Sequence, residues 1–305
     1  MQSDGQASAG NARDLGGEEL TRAALASFGD CQSERFAEIA RSLVKHLHAF
    51  VGEVRLTEEE WAKGIDFLTR VGHITTDQRQ EFILLSDVLG VSMRVIGVNH
   101  QQSTEATEST VFGPFFVSDS PAYENGDDIA NGAPGEPCFL QGTVRSVTGE
   151  PIPQARVEVW QVDEDGRYDV QYADLPAARG RGHLSTDSVG RYYFWSIRPA
   201  AYPIPDDGPV GELLAAARRS PMRPAHVHFM IMAPGFHPLI THVFAEGDPY
   251  LDSDAVFGVR TPLITSFERH EAGIAPDGRR METPFYTMRY DFTLAPIEAS
   301  GAEAD

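Results

Sequence analysis

The sequence predicts an α+β protein, with a helical N-terminal part followed by an antiparallel β-sandwich. Two observations carry this. Up to about residue 98, apolar residues recur at the spacing of one helix face. Beyond residue 100, Gly and Pro become frequent, and short alternating segments bounded by turn residues replace the long stripes. Strands do not alternate with helices there, so a doubly wound parallel sheet is not expected. The 305 residues suffice to bury a sizeable core.

Residues 1–16 are Gly, Ala, Ser and Asn with a few charges and are expected to be disordered, without the apolar stretch of a signal peptide. Residues 18–28 and 34–51 read as helices, the second carrying Phe36, Ile39, Leu43, Leu47 and Phe50 on one stripe. Thr57-x-x-Glu60 is a capping-box pattern that opens a third helix with Trp61, Ile65 and Leu68. Thr75-x-x-Gln78 opens a fourth, with Phe82, Leu85 and Leu89. Asp87 sits inside that apolar stretch, either on the solvent face or turned into a pocket. These signals set a helical domain at 17–104, a β domain at 105–297 and an acidic tail at 298–305.

Within the β domain, residues 138–144, 155–161, 191–197, 225–232, 240–245 and 286–292 read as strands. The segment Pro224-Ala225-His226-Val227-His228-Phe229-Met230-Ile231-Met232 stands out. Alternation sends His226 and His228 to one face and Val227 and Phe229 to the other. Two imidazoles roughly 7 Å apart along a strand can converge on one metal ion.

Net charge is −20, which argues against nucleic acid or an anionic membrane as partner. No run of about 18 apolar residues occurs. Cys31 and Cys138 are too few for a disulfide framework, so the cytoplasm is the expected compartment. Tyr168 follows the turn Asp165-Gly166-Arg167, and Tyr202 precedes Pro203. A phenol ionises near neutral pH only beside a strong positive charge such as a trivalent metal. Spacing alone does not select these from the nine tyrosines.

The residues that do so carry a resemblance. Glu108-Ser109-Thr110-Val111-Phe112-Gly113-Pro114-Phe115, Gly149-Glu150-Pro151-Ile152-Pro153 leading into Val157-Glu158-Val159-Trp160-Gln161, Asp165-Gly166-Arg167-Tyr168-Asp169 and Arg223-Pro224-Ala225-His226-Val227-His228-Phe229 resemble the intradiol ring-cleaving dioxygenases. The helical part resembles the helical domain of the catechol-type branch. The segment from Tyr202 to Gly211 and Thr241-His242-Val243-Phe244 resemble the hydroxyquinol 1,2-dioxygenases.

The resemblance implies one Fe(III) per chain on Tyr168, Tyr202, His226 and His228, with a 1,2-diol and O2 as substrates. It implies that Tyr202 takes up a substrate proton and that Arg223 stabilises negative charge on the ring. The expected substrate is benzene-1,2,4-triol, opened to 3-hydroxy-cis,cis-muconate and maleylacetate. Expected substrate contacts are Asp87, Phe112, Gly113, Pro114, Ile204, Pro205, Arg223 and His242, although His242 also suits a purely structural role. The resemblance further implies a homodimer joined through the N-terminal helices, with a phospholipid held between them. Three alternatives remain open: a catechol or chlorocatechol dioxygenase, a metal-free β-sandwich binding module, and a His-based Fe(II) or Zn site that uses carboxylates.

Overall fold

The computed structural model describes residues 13–76, 79–100 and 105–297. The acidic tail, most of the segment expected to be disordered, and Gln78 of the Thr75-x-x-Gln78 pattern lie outside them. The chain divides into two compact units between Thr69 and Arg70.

The first unit holds α1 (Gly17–Ala26), α2 (Glu34–Val54) and most of α3 (Glu58–Ile74). Ser33 caps α2, its hydroxyl accepting from the Phe36 amide at 3.2 Å. Thr57 and Glu60 close the capping box of α3, with bonds of 3.2 and 2.9 Å in the two directions. Thr21 on α1 meets His48 on α2 at 2.9 Å, and Arg41 donates to the Phe28 carbonyl at 2.9 Å. The α2 stripe of Phe36, Ile39, Leu43, Leu47 and Phe50 is exposed, as is Trp61.

The second unit begins with α4 (Glu81–Val88) and α5 (Val91–Asn99). These helices group with the sheets although the sequence reads as helical up to about residue 98. A buried carboxylate is one of the ties that hold α4 there. Glu81 is fully buried and accepts from the Val210 amide, at 3.1 Å, in the first turn of α6 (Pro209–Ala216). It thereby satisfies an amide donor that a helix start leaves free.

The strands are β1 (Pro137–Ser146), β2 (Arg156–Trp160), β3 (Arg181–Ser185), β4 (Arg191–Ile197), β5 (Tyr202–Pro203), β6 (Met222–Arg223), β7 (His226–Met232) and β8 (Leu239–Ala245). They continue with β9 (Ile264–Thr265), β10 (Phe267–His270), β11 (Gly273–Ile274), β12 (Arg280–Met281), β13 (Phe285–Arg289) and β14 (Phe292–Leu294). One sheet has the order β3-β2-β7-β8-β9; the other runs β10-β13-β1-β14, with β4 also on β1. Val157, Val159, Val227, Phe229 and Ile231 meet Leu140, Phe194, Met288 and Phe292 in one core between them. This is the expected sandwich. The ladders around β7 are antiparallel, whereas β1 pairs in parallel with β13 and β14, and β8 with β9. Parallel pairing needs a long crossover, and the whole of the first sheet intervenes in sequence between β1 and β13.

The segment 286–292, expected as one strand, is broken into β13 and β14 at Tyr290 and Asp291. The Asp291 carboxylate accepts from the Thr143 amide and hydroxyl at 2.8 and 3.0 Å, replacing the ladder there. Gly142 makes room for the break, since a Cβ on it would collide with the Tyr290 carbonyl.

Candidate metal centre

The face of β7 opposite the core presents His226 and His228, both buried. Across the sheet, His228 pairs with Trp160 on one side and His242 on the other. The Trp160 indole stacks on the His228 imidazole, centroids 4.7 Å apart and planes 19° from parallel.

A loop delivers Tyr168, and the short strand β5 delivers Tyr202. Asp163 organises the turn before Tyr168, accepting from the Asp165 and Arg167 amides at 3.0 and 3.1 Å. Gly166 has φ +74 and sits on Tyr202, where a Cβ would come within 2.8 Å of the Tyr202 Cβ. After Tyr168, the Asp169 carboxylate pairs with the buried Arg181 guanidinium at 2.6 Å. Tyr202 is held by the β5–β6 pairing, directly opposite Arg223.

These side chains converge. The Tyr168 hydroxyl lies 2.8 Å from the Tyr202 hydroxyl and 2.8 Å from His228 Nε2. The Nε2 atoms of His226 and His228 are 3.2 Å apart. His226 Nδ1 donates to the Pro224 carbonyl at 2.6 Å, which fixes its proton and turns the Nε2 lone pair toward the cluster. Burial, reinforced by the charge of Arg223, lowers the His226 pKa to about 3. Burial, with His226 and Arg223 adding to it, also holds His228 well below the usual histidine range. The imidazoles are therefore neutral donors. Burial pushes the Tyr168 phenol well above its ordinary range, with Tyr202 adding to the effect. Only a strong positive charge at the cluster reverses that sign, so the donor set fits a highly charged metal ion.

His242 adds a third imidazole, with ring nitrogens of His226, His228 and His242 all within 4.8 Å of one another. Its Nδ1 faces Arg223 Nη2 at 3.3 Å, however, and a guanidinium there competes with any metal for that lone pair. The contacts among the two tyrosines and the other two histidines are shorter.

A cavity beside the cluster is lined by Leu84, Asp87, Val111, Gly113, Pro114, Phe115, Tyr202, Ile204, Pro205, Arg223, His228 and Val256. Of the expected substrate contacts, Asp87, Gly113, Pro114, Ile204, Pro205 and Arg223 line it. Phe112 and His242 do not. Phe112 packs on Phe116 and Trp160 at 4.7 and 6.0 Å, and His242 lies fully buried beside Arg223 and the other imidazoles. Asp87 is buried, not on a solvent face. Burial raises its carboxyl pKa, against the lowering effects of a Ser92 hydrogen bond and the charge of Arg223. Gly113 has φ +77 and touches His228, a Cβ there standing 3.0 Å from Cε1. Phe115 stacks on Tyr168, centroids 4.6 Å apart.

Sequence reasoning missed Leu84, Val111, Val256 and Asp254. Arg223 Nε donates to Asp254 Oδ1 at 3.1 Å, both side chains being almost free of solvent. Burial alone lowers the Arg223 pKa, but Asp254 more than offsets this and raises it. Asp254 mirrors it: burial would raise its pKa, and the Arg223 charge brings it below the usual value.

The family model described as Dioxygenase matches residues 111–296, and Catechol dioxygenase N terminus matches residues 33–107. The chain is 54% identical to hydroxyquinol 1,2-dioxygenase of Nocardioides simplex, over 92% of this chain and 95% of the relative. It is 54% identical to 6-chlorohydroxyquinol 1,2-dioxygenase of Cupriavidus pinatubonensis, over 91% and 96% of the two chains. The solved structure of hydroxyquinol 1,2-dioxygenase from Pseudomonas putida DLL-E4 superposes with a TM-score of 0.85 at 46% identity, covering 91% of this chain and 98% of that one.

Proposed function

Because the chain belongs to the intradiol ring-cleaving dioxygenase family, we propose that Tyr168, Tyr202, His226 and His228 hold one ferric ion that serves hydroxyquinol cleavage. The reaction of this enzyme is the opening of benzene-1,2,4-triol by O2 between its adjacent hydroxyl carbons, giving 3-hydroxy-cis,cis-muconate and, by tautomerisation, maleylacetate. The observation that supports the ligand set is the convergence of two phenol oxygens and two Nε2 lone pairs in a solvent-free cluster beside a cavity.

A ferric ion there supplies Lewis acidity and a template for the two adjacent hydroxyls. The protein does the rest. Tyr202 lines the cavity, so its phenolate oxygen is the group that accepts a substrate proton. Tyr168 is stacked on Phe115, and the Asp169–Arg181 pair anchors the chain directly after it, so it stays in place. Trp160 and the Pro224 carbonyl fix the two imidazole planes. Arg223 directs donors at the negative charge that develops on the ring oxygens. Ile204, Pro205 and Pro114 give the ring apolar walls, and Gly113 lets the wall approach His228. Asp87 is the acceptor for the third hydroxyl, the group that catechol lacks. A buried acceptor left unpaired disfavours the analogue without that hydroxyl.

We further propose a homodimer joined by the exposed apolar stripe of α2 and by Trp61, with a lipid-like molecule covering part of it. No described helix is long and apolar enough to cross a membrane. The free state of Cys31 and Cys138 accords with the cytoplasm, which we propose as the compartment.

The experiment is kcat/KM for benzene-1,2,4-triol, catechol and 4-chlorocatechol by oxygen uptake. The triol is preferred by at least about tenfold, the low end of a charge-assisted hydrogen bond. Equal use of catechol would contradict hydroxyquinol as the substrate.

A further inference from the structure

Arg223 presents its N–H donors in a rigid planar fork, and most of that fork is accounted for. Nε donates to Asp254 Oδ1 at 3.1 Å, and Nη2 lies 3.3 Å from His242 Nδ1. Nη1 faces the cluster, 3.1 Å from His226 Nε2. Asp254 is itself pinned: the Gly258 amide donates to Oδ2 at 2.8 Å, and the Val256 amide reaches Oδ1 at 3.4 Å. Gly258 supplies the space for this arrangement. A Cβ on it would stand 3.1 Å from Asp254 Oδ2 and 3.3 Å from Arg223 Nη2.

When His226 Nε2 gives its lone pair to a metal ion, Nη1 loses its acceptor while Nε and Nη2 keep theirs. A planar group fixed at two nitrogens cannot swing, so the third nitrogen stays directed at the cluster, beside the cavity that Arg223 lines. Resting on the ferric site above, we propose that Asp254 is a positioning residue that holds Arg223 so that Nη1 donates to the oxygens of the bound diol. Val256, two residues beyond Asp254, is part of the same cavity wall. The carboxylate therefore sets the arginine and one wall together.

A loop-capping role for Asp254 is separated from this one by a double-mutant cycle. Asp254→Asn and Gly258→Ala are each made in wild type and in Arg223→Met. The readouts are kcat, KM for benzene-1,2,4-triol, iron per chain and unfolding temperature. In the presence of Arg223, Asp254→Asn lowers kcat roughly 10- to 150-fold, the range for a lost charge-assisted hydrogen bond, with iron content and KM little changed. In Arg223→Met it changes kcat by less than about twofold, because the group it acts through is gone. Gly258→Ala keeps every charge and decides the matter if Asp254→Asn does not fold: it lowers kcat by about threefold or more, again only with Arg223 present. An equal fall in both backgrounds, or loss of iron in step with activity, overturns the positioning role. Arg223→Met with wild-type kcat overturns it too, while leaving the ferric site intact. A wild-type enzyme without iron refutes the ferric site itself.

Discussion

The hydroxyl of Tyr168 lies 2.8 Å from Nε2 of His228, although 60 residues separate them in the chain. One comes from a loop and the other from the middle of a sheet strand. Both side chains are buried. The Tyr202 hydroxyl stands 2.8 Å from that of Tyr168 and His226 Nε2 stands 3.2 Å from that of His228, and four such donor atoms packed together suit a metal ion.

Removing one phenol tests for that ion. Tyr168→Phe keeps the ring stacked on Phe115 but deletes the oxygen. The expected result is at least a tenfold fall in kcat, by the arithmetic of about one lost charge-assisted bond, together with less iron per chain by metal analysis. Full iron content in the variant would speak against Tyr168 as a ligand. A nearly silent substitution would favour a His-based Fe(II) or Zn site.

Asp87 links stability to pH. Burial holds its carboxyl above the usual range, so the fold disfavours the charged form. Its stabilising contribution is therefore present below the unfolded carboxylate pKa of about 3.9 and is lost as pH rises through the raised value. Asp87→Asn removes that loss. The variant unfolds at a higher temperature than wild type at pH 8, and the gain vanishes near pH 3.5. Its preference for the triol over catechol also falls, partly because kcat/KM for catechol rises once no unpaired buried charge is left beside it. A gain in stability that is independent of pH would show that burial of the charge is not its cause.

Gly113→Ala tests the wall opposite the imidazole. Its φ of +77 strains any side chain, by about 1–2 kcal/mol, and the new methyl would press on His228 Cε1. A lower unfolding temperature and a lower kcat are expected together. Unchanged thermal unfolding would mean that the local backbone relaxes without strain.

The exposed α2 stripe predicts self-association. Leu43→Glu combined with Leu47→Lys places charges on the apolar face and should convert a dimer to a monomer in sedimentation at micromolar concentration. Lipid extraction and mass spectrometry of wild type test the second occupant. A wild-type monomer would remove both proposals.

Much of this was legible in sequence, for physical reasons. Strand alternation sent Val227 and Phe229 into the core and His226 and His228 away from it. The capping box at Thr57 and Glu60 formed as its pattern requires. The tyrosines were different: Tyr168 sits on a loop and Tyr202 on a two-residue strand, too short for periodicity to report orientation, and only the family resemblance singled them out. The face of Asp87 was open because a short apolar helix has no clear polar side. Asp254 gave no local signal at all. Its segment Leu251-Asp252-Ser253-Asp254 resembles a surface loop, and its burial comes from pairing with Arg223, 31 residues earlier. The break at Tyr290 and Asp291 was hidden for the same reason, since it depends on Thr143, 148 residues away.

The most direct test of the ferric site is the visible spectrum of the purified enzyme, recorded before and after anaerobic addition of benzene-1,2,4-triol. Two phenolate ligands to Fe(III) predict a red protein with a broad charge-transfer band. That band shifts when the diol binds and weakens strongly in Tyr168→Phe and Tyr202→Phe. An active preparation that is colourless, or that holds stoichiometric zinc and no iron, would contradict the account.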